Sequence, residues 1–109
     1  MSDANSGNEL LTRLQGDMKA AMKAREKERL AVIRLMIAEL KSAQMNQTTD
    51  DMSLEQEQDV LRKMIKNRRD SVQQAEDAGR QDIADAEAAE IVVIQDYLPQ
   101  MLTGDALLE

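Results

Sequence analysis

The residues from 60 to 99 read as two amphipathic helices separated by Gly79, and three charged side chains occupy positions where the helical period favours apolar ones. Arg68 falls within the apolar stripe of the first helix, and Glu87 and Glu90 fall within that of the second. Because a buried charge without a partner is costly, the pattern predicts that Arg68 pairs across this hairpin with Glu87, Glu90 or both. The alternative is that these long side chains extend from the edge of the core into solvent.

The same periodicity covers most of the chain and predicts an all-α fold, a small bundle of about four helices. A loop is expected over residues 45–52, and Ser53 with Gln56 forms a capping-box signature for the third helix. The second helix should be the most buried. Met22 and Ile83 are expected to point inward. The predicted helices run over residues 9–23, from an undetermined boundary within 24–28 to 44, over 54–78, and over 81–98, where Pro99 stops the last one.

Composition agrees with helices and limits the chemistry. The 109 residues contain no Phe or Trp, a single Tyr and eight Met, so the core must be built from aliphatic residues and Met, which pack helices well. Absence of Cys and His excludes disulfides and thiolate metal sites and removes the commonest general base. Ser71 and Tyr97 lack a basic partner, and Asp50 and Asp51 lack ligand spacing. No catalytic residue, metal or cofactor is therefore predicted.

The predicted organisation is a disordered tail over residues 1–8, a helical bundle over 9–99, and a linker over 100–109 that starts a truncated second helical subdomain. Thr103 could cap a fifth helix, with Asp105 in its first turn. No apolar run approaches the roughly 20 residues that a membrane span needs, and the first residues lack the features of a secretory signal. The default expectation is a soluble cytoplasmic protein without membrane contact.

Charge is unevenly distributed, although the formal net charge is −7. Every basic residue lies between Arg13 and Arg80, and only acids follow. Arg62, Lys66 and Arg69 form a basic line on one side of the third helix, where they are candidates for contacts with nucleic-acid phosphates. Lys63 adds to this patch, and a second group lies near the first interhelical junction: Lys19, Lys23, Arg25, Lys27 and Arg29. The alternative is an ordinary solvated face balanced by nearby acids, since stacking aromatic residues are absent.

Three segments of the sequence resemble the YqeY family, free-standing relatives of the C-terminal helical region of GatB, the B subunit of glutamyl-tRNA(Gln)/aspartyl-tRNA(Asn) amidotransferase. They are RLAVIRLMIAELKSAQ, KNRRDSVQQAEDAGRQDIADAEAAEI and YLPQML. The run K-x-R-x-D-S, A-G-R-x-D-I-A, E-x-x-E-I and Y-L-P is specific, and the similarity extends over about residues 10–102. The resemblance implies an all-helical protein of two subdomains, with the chain ending where the second should begin.

This resemblance links the chain to tRNA-dependent amidation or to tRNA aminoacylation. The family is associated with carbon–nitrogen ligase activity that uses glutamine as amide donor, and related domains occur fused to tRNA-charging enzymes, where they aid tRNA binding. That reaction requires a glutaminase nucleophile, an ATP-dependent phosphorylation site and an ammonia channel, which this chain lacks. We therefore expect a non-catalytic accessory module with tRNA as partner. The alternative is a docking module for an amidotransferase subunit or an aminoacyl-tRNA synthetase, without RNA contact; the oligomeric state is not predicted.

Overall fold

The computed structural model describes residues 7–47 and 51–99 as an assembly of four α-helices, without a strand in those two ranges. This confirms the all-α prediction. The predicted fifth helix at Thr103 and Asp105 lies outside the described residues. The helices are α1 (Glu9–Ala24), α2 (Lys27–Met45), α3 (Leu54–Asp77) and α4 (Gln81–Gln95).

The helices form two hairpins, α1–α2 and α3–α4, that pack against each other through α2. As predicted, α2 contributes the most buried apolar side chains, because residues from both of its flanks reach the other helices. The least exposed side chains of the core are Leu14, Ile33, Met36, Leu40, Leu61 and Ile94. The centre of the core therefore consists of aliphatic residues and Met, and Tyr97 is buried at its margin.

The stretch between α1 and α2 is a sharp turn and not a continuous helix. Arg25 adopts the left-handed conformation with φ of 59°, and its backbone N–H donates to the carbonyl oxygens of Ala21 and Met22. Met22, predicted to point inward, is exposed, whereas Leu11 near the start of the same helix is buried. Met22 lies in the last turn of α1, at the edge of the buried face, where the chain already turns towards α2.

The start and the end of α3 follow the sequence prediction. Ser53 Oγ accepts a hydrogen bond from the backbone N–H of Gln56 at 3.1 Å, and the Gln56 side chain accepts one from the Ser53 N–H at 2.9 Å. Gly79 follows the helix with φ of 74°, a conformation that residues with a Cβ rarely adopt.

The last helix differs from its prediction in two respects. It ends at Gln95 rather than Leu98, and residues 96–98 continue as a tighter turn in which Tyr97 N–H donates to the Ile94 carbonyl. This tightening is consistent with Pro99, which disfavours helical geometry in the residue before it. Ile83, predicted to point inward, is 40% exposed, whereas Ala84 beside it is buried.

Glu57 is the buried charged residue that the sequence argument did not identify. Its side chain is 1% exposed, and its carboxylate oxygens accept hydrogen bonds from the backbone N–H groups of Leu10 at 2.9 Å and Leu11 at 3.0 Å. These are among the first N–H groups of α1, which have no partner within the helix. The residue before the helix, Asn8, makes no side-chain cap, so a carboxylate from α3 performs that role.

The chain before α1 is also attached to the start of α3. Asn8 donates its backbone N–H to the Met52 carbonyl at 2.8 Å, and its side-chain oxygen accepts from the Met52 N–H at 3.2 Å. A Cβ on Gly7 would lie 2.6 Å from the Cβ of Asp51. Asn8, which the sequence analysis assigns to the tail, is thus held by hydrogen bonds to a distant segment; residues 1–6 lie outside the described residues.

Arg68 and Glu90 form an ion pair across the α3–α4 hairpin. Arg68 Nε lies 2.8 Å from Glu90 Oε1, with the two side chains 16% and 34% exposed, and a second guanidinium nitrogen donates to the Met64 carbonyl at 3.4 Å. Glu87, the other candidate partner, is half-buried on α4 and makes no ion pair with Arg68 in the described part of the chain. One carboxylate therefore meets the guanidinium.

We expect Glu57→Gln to lower the free energy of unfolding by about 1–3 kcal/mol, because its NH₂ group would face a backbone N–H that needs an acceptor. Urea denaturation followed by far-ultraviolet circular dichroism measures the change. Glu55→Gln is the matched control, since Glu55 is exposed in the first turn of the same helix, and should shift stability by no more than about 0.5 kcal/mol. Equal losses in both variants would contradict the capping role.

The contribution of Glu57 should also depend on pH. Burial raises the pKa of Glu57, although the Leu10 and Leu11 amides oppose this. The folded carboxyl therefore holds its proton more tightly than the unfolded one. The stability of the native chain relative to Glu57→Gln should then fall as pH rises through the window just above the ordinary glutamate pKa, and level off beyond the folded pKa. Denaturation of both chains between about pH 4 and pH 7 measures this difference; a rising difference would contradict it.

A double-mutant cycle with Arg68→Met and Glu90→Gln should give a coupling free energy of about 0.5–2 kcal/mol, because the pair is partly shielded from water. The matched control is the exposed pair of Arg62 and Asp59, whose atoms lie 2.7 Å apart but whose side chains are more than half exposed. Its cycle should give less than about 0.5 kcal/mol. Equal coupling in the two cycles would show that partial burial adds nothing.

Candidate nucleic-acid interface

The three predicted phosphate contacts lie together on the outer side of α3. Arg62, Lys66 and Arg69 are spaced by four and three residues, which places them on one line of the helix, and all three are exposed. Another side of α3 packs against the core through buried Leu61, Met64 and Ile65. The line is therefore held outward by the packing of the helix and extends about 10 Å along it.

These side chains differ in their present partners. Arg62 Nη1 pairs with Asp59 Oδ1 one turn earlier, whereas Lys66 and Arg69 make no ion pair with any described residue. An exposed pair such as that of Arg62 contributes little stability, so a phosphate could replace Asp59 at small cost. The basic line therefore has three exposed cations that could contact an anionic polymer, and its side chains do not enclose a site for a small ligand.

A cleft of about 320 Å³ lies between α2 and α3. Its lining residues are Glu39, Ser42, Ala43, Asn46, Val60, Lys63, Met64, Asn67 and Arg68. Of its polar residues, Lys63 and Arg68 are candidates from the sequence, and Glu39, Ser42, Asn46 and Asn67 are not. The helical period marks these four only as exposed positions on two separate helices. Their proximity depends on how α2 packs across α3.

The second basic group surrounds the turn between α1 and α2. Lys19, Lys23, Arg25 and Lys27 are exposed, and Arg29 is half-buried with its Nη1 3.3 Å from Asp96 Oδ2 at the end of α4. Arg25, Lys27 and Arg29 alternate there with Glu26 and Glu28 around an open hollow of about 540 Å³. Because acids are interleaved among these cations, the local charge is more balanced than along α3.

Tyr97 is a packing residue with a satisfied hydroxyl. The side chain is buried, the hydroxyl donates a hydrogen bond to the Asp17 carboxylate, and the Arg13 guanidinium lies 4.6 Å from the ring centroid. Burial and the Asp17 carboxylate raise the pKa of Tyr97 to about 12. The phenol therefore stays protonated near neutral pH and acts as a donor, which connects the end of α4 to α1.

The remaining polar residues considered from the sequence show no catalytic grouping in residues 7–47 and 51–99. Ser71 is half-buried on α3, and Asp51 accepts a hydrogen bond from the Asn8 side chain at 2.9 Å; Asp50 lies outside the described residues. Within the described ranges, no cluster of three or more carboxylates could hold a metal ion. The Arg68–Glu90 pair belongs to the packing between α3 and α4, and Glu87 is half-buried on α4. No described helix has an apolar stretch long enough to cross a membrane.

Comparison with known proteins gives relatives over most of the chain. The chain is 32% identical over 104 residues to "Altered inheritance of mitochondria protein 41, mitochondrial" of Pyrenophora tritici-repentis, covering 94% of this chain and 56% of the relative. Proteins of the same name from Lachancea thermotolerans and Saccharomyces cerevisiae are each 30% identical, over 81% and 86% of this chain and 47% and 51% of the relatives. The chain thus spans about half the length of these curated relatives.

The names of these relatives contradict the predicted cytoplasmic location, because all of them are called mitochondrial proteins. That prediction is therefore wrong. Its basis was the absence of a secretory signal and of a membrane span, and neither feature distinguishes the cytoplasm from the mitochondrion.

The family comparison agrees with the motifs of α3 and α4. A model of the YqeY family, described as "Yqey-like protein", matches residues 11–109 and so includes nearly the whole sequence. The matched part contains both members of the Arg68–Glu90 pair, Gly79 between the two helices, and the buried Tyr97. The chain belongs to the YqeY family.

Proposed function

We propose that this chain is a non-catalytic accessory module of tRNA-dependent amidation or tRNA aminoacylation, and that it helps to bind tRNA. The observation that carries the proposal is the exposed basic line of Arg62, Lys66 and Arg69 on α3. Each phosphate that such a cation neutralises releases a counterion from the nucleic acid, which favours binding even when the net charge of the protein is negative. The link to tRNA comes from the family's relationship to the amidotransferase.

The non-catalytic part of the proposal rests on composition. The sequence holds neither Cys nor His, so a glutaminase nucleophile with a histidine base cannot be built from it. Tyr97 is committed to its hydrogen bond with Asp17 and remains protonated. Release of glutamate from glutamine by the purified chain would contradict this part.

A second candidate function, docking to an amidotransferase subunit or an aminoacyl-tRNA synthetase, is favoured by the surface between α2 and α4. A groove of about 370 Å³ lies there. Its apolar lining is Ala31, Val32, Ala86, Ala89 and Val93, and charged Glu28, Arg29 and Glu90 also border it. Exposed apolar side chains lie on the same two helices, at Leu35 and Val92. Such a surface is suited to an apolar helix rather than to phosphates.

The salt dependence of tRNA binding separates the two candidates. Reversing the charges with Arg62→Glu, Lys66→Glu and Arg69→Glu together should reduce the slope of log affinity against log salt by about two to three, because three phosphate contacts are lost. Fluorescence anisotropy with unfractionated labelled tRNA between about 50 and 200 mM salt measures the slope.

The control variant combines Arg34→Glu, Lys41→Glu and Arg80→Glu. These residues are exposed and lie outside both basic groups, so the variant makes the same change in net charge elsewhere on the surface. Its slope should match that of the unaltered chain. An unchanged slope in the α3 variant, or equal changes in both variants, would contradict tRNA binding through α3 and favour protein docking.

A further inference from the structure

The cleft between α2 and α3 contains groups that would suit each part of one ribonucleotide. It has a volume of about 320 Å³, at the lower end of the range for small-ligand sites. Its apolar lining consists of Ala43, Val60 and Met64, and its polar lining includes one carboxylate, one hydroxyl, two amides and two cations. This combination differs from the α3 basic line, which offers cations alone.

The polar side chains of the cleft are available for a ligand. Glu39, Ser42, Asn46, Lys63 and Asn67 make no side-chain hydrogen bond or ion pair with any residue of 7–47 and 51–99. Free amides at a solvent-accessible wall can both donate and accept, which is the chemistry needed to bind the edge of an unpaired base.

Arg68 supplies a fixed cation at the same wall. Its Nε is bonded to Glu90 and its Nη1 to the Met64 carbonyl, which hold the guanidinium in place and leave Nη2 without a partner among the described residues. Because the side chain is 16% exposed, the remaining N–H groups are in a partly shielded environment, where a hydrogen bond to an anion is stronger than in open water. Lys63 adds a mobile cation at the rim.

We propose that the α2–α3 cleft binds a single unstacked ribonucleotide of an RNA strand. Lys63 and Arg68 contact its phosphate, Asn46 and Asn67 contact the edge of its base, and Glu39 accepts a hydrogen bond from a ribose hydroxyl. The apolar lining packs against the base. This inference rests on the proposed function, since the nucleotide in the cleft would belong to the RNA that the proposed function binds.

The test is a titration of the ¹⁵N-labelled chain with each of the four ribonucleoside 5′-monophosphates, followed by amide chemical-shift changes. At least one should shift amides of the cleft-lining parts of α2 and α3 in a saturable manner. Its 2′-deoxy counterpart should bind about three- to tenfold more weakly, because a hydrogen bond to Glu39 is lost. Inorganic phosphate alone should bind more weakly than either.

Two variants and a control assign the site. Lys63→Glu should weaken binding of the same monophosphate by about tenfold or more, and Asn67→Ala by about three- to tenfold. Lys41→Glu, the same charge change on an exposed α2 residue outside the cleft, should leave it unchanged. Circular dichroism checks that each variant remains folded.

The inference is overturned if none of the four monophosphates gives saturable shifts in the cleft, if inorganic phosphate binds as tightly as the nucleotides, or if Lys63→Glu has no larger effect than Lys41→Glu. Equal binding of the ribo and deoxy forms would overturn the role of Glu39. These results are independent of the salt slope for tRNA, so a failure of the cleft and a failure of the basic line on α3 can be told apart.

Discussion

The carboxylate of Glu57 is the contact on which the arrangement of the two hairpins depends most directly. It lies in the first turn of α3 and satisfies two backbone N–H groups of α1, and thereby connects the first helix of one hairpin to the first helix of the other. A helix start that is buried without acceptors would lose several hydrogen bonds. Glu57 supplies them from a side chain that is almost fully shielded from water, so the position of α1 is set by α3 as well as by its neighbour α2.

The Arg68–Glu90 pair has a different effect, because it divides the surface beside α2. On one side of the pair, Glu90 borders the apolar groove between α2 and α4; on the other, Arg68 borders the polar cleft between α2 and α3. Helix α2 therefore borders the groove near its start, at residues 28–32, and the polar cleft near its end, at residues 39–46. The groove corresponds to the docking candidate and the cleft to the proposed nucleotide site, while the basic line that carries the tRNA proposal is a third surface, on α3.

Local chemistry explains which parts of this fold the sequence predicts. The capping box of Ser53 and Gln56 and the left-handed Gly79 depend on a few neighbouring residues, and both are found as expected. Glu57 lies four residues before Leu61, on the buried line of α3, so its position is as unusual for a charged residue as that of Arg68. Its partners are backbone amides, which every residue has, so the sequence contains no signal that identifies them. The cleft was missed because it depends on how α2 crosses α3, and the roles of the three basic residues on α3 remain a prediction.

The attachment of α1 to α3 also sets an order of events in folding. Asn8 is joined to Met52, and the Leu10 and Leu11 amides are joined to Glu57, so the partners in each contact are more than 40 residues apart. During synthesis the residues of α1 leave the ribosome before Met52 and Glu57, so their hydrogen-bond partners are not yet present. During that interval α1 can pair with α2, since that hairpin is local, but its first turn remains open to water. Closure of this turn therefore requires the segment that contains Met52 and Glu57.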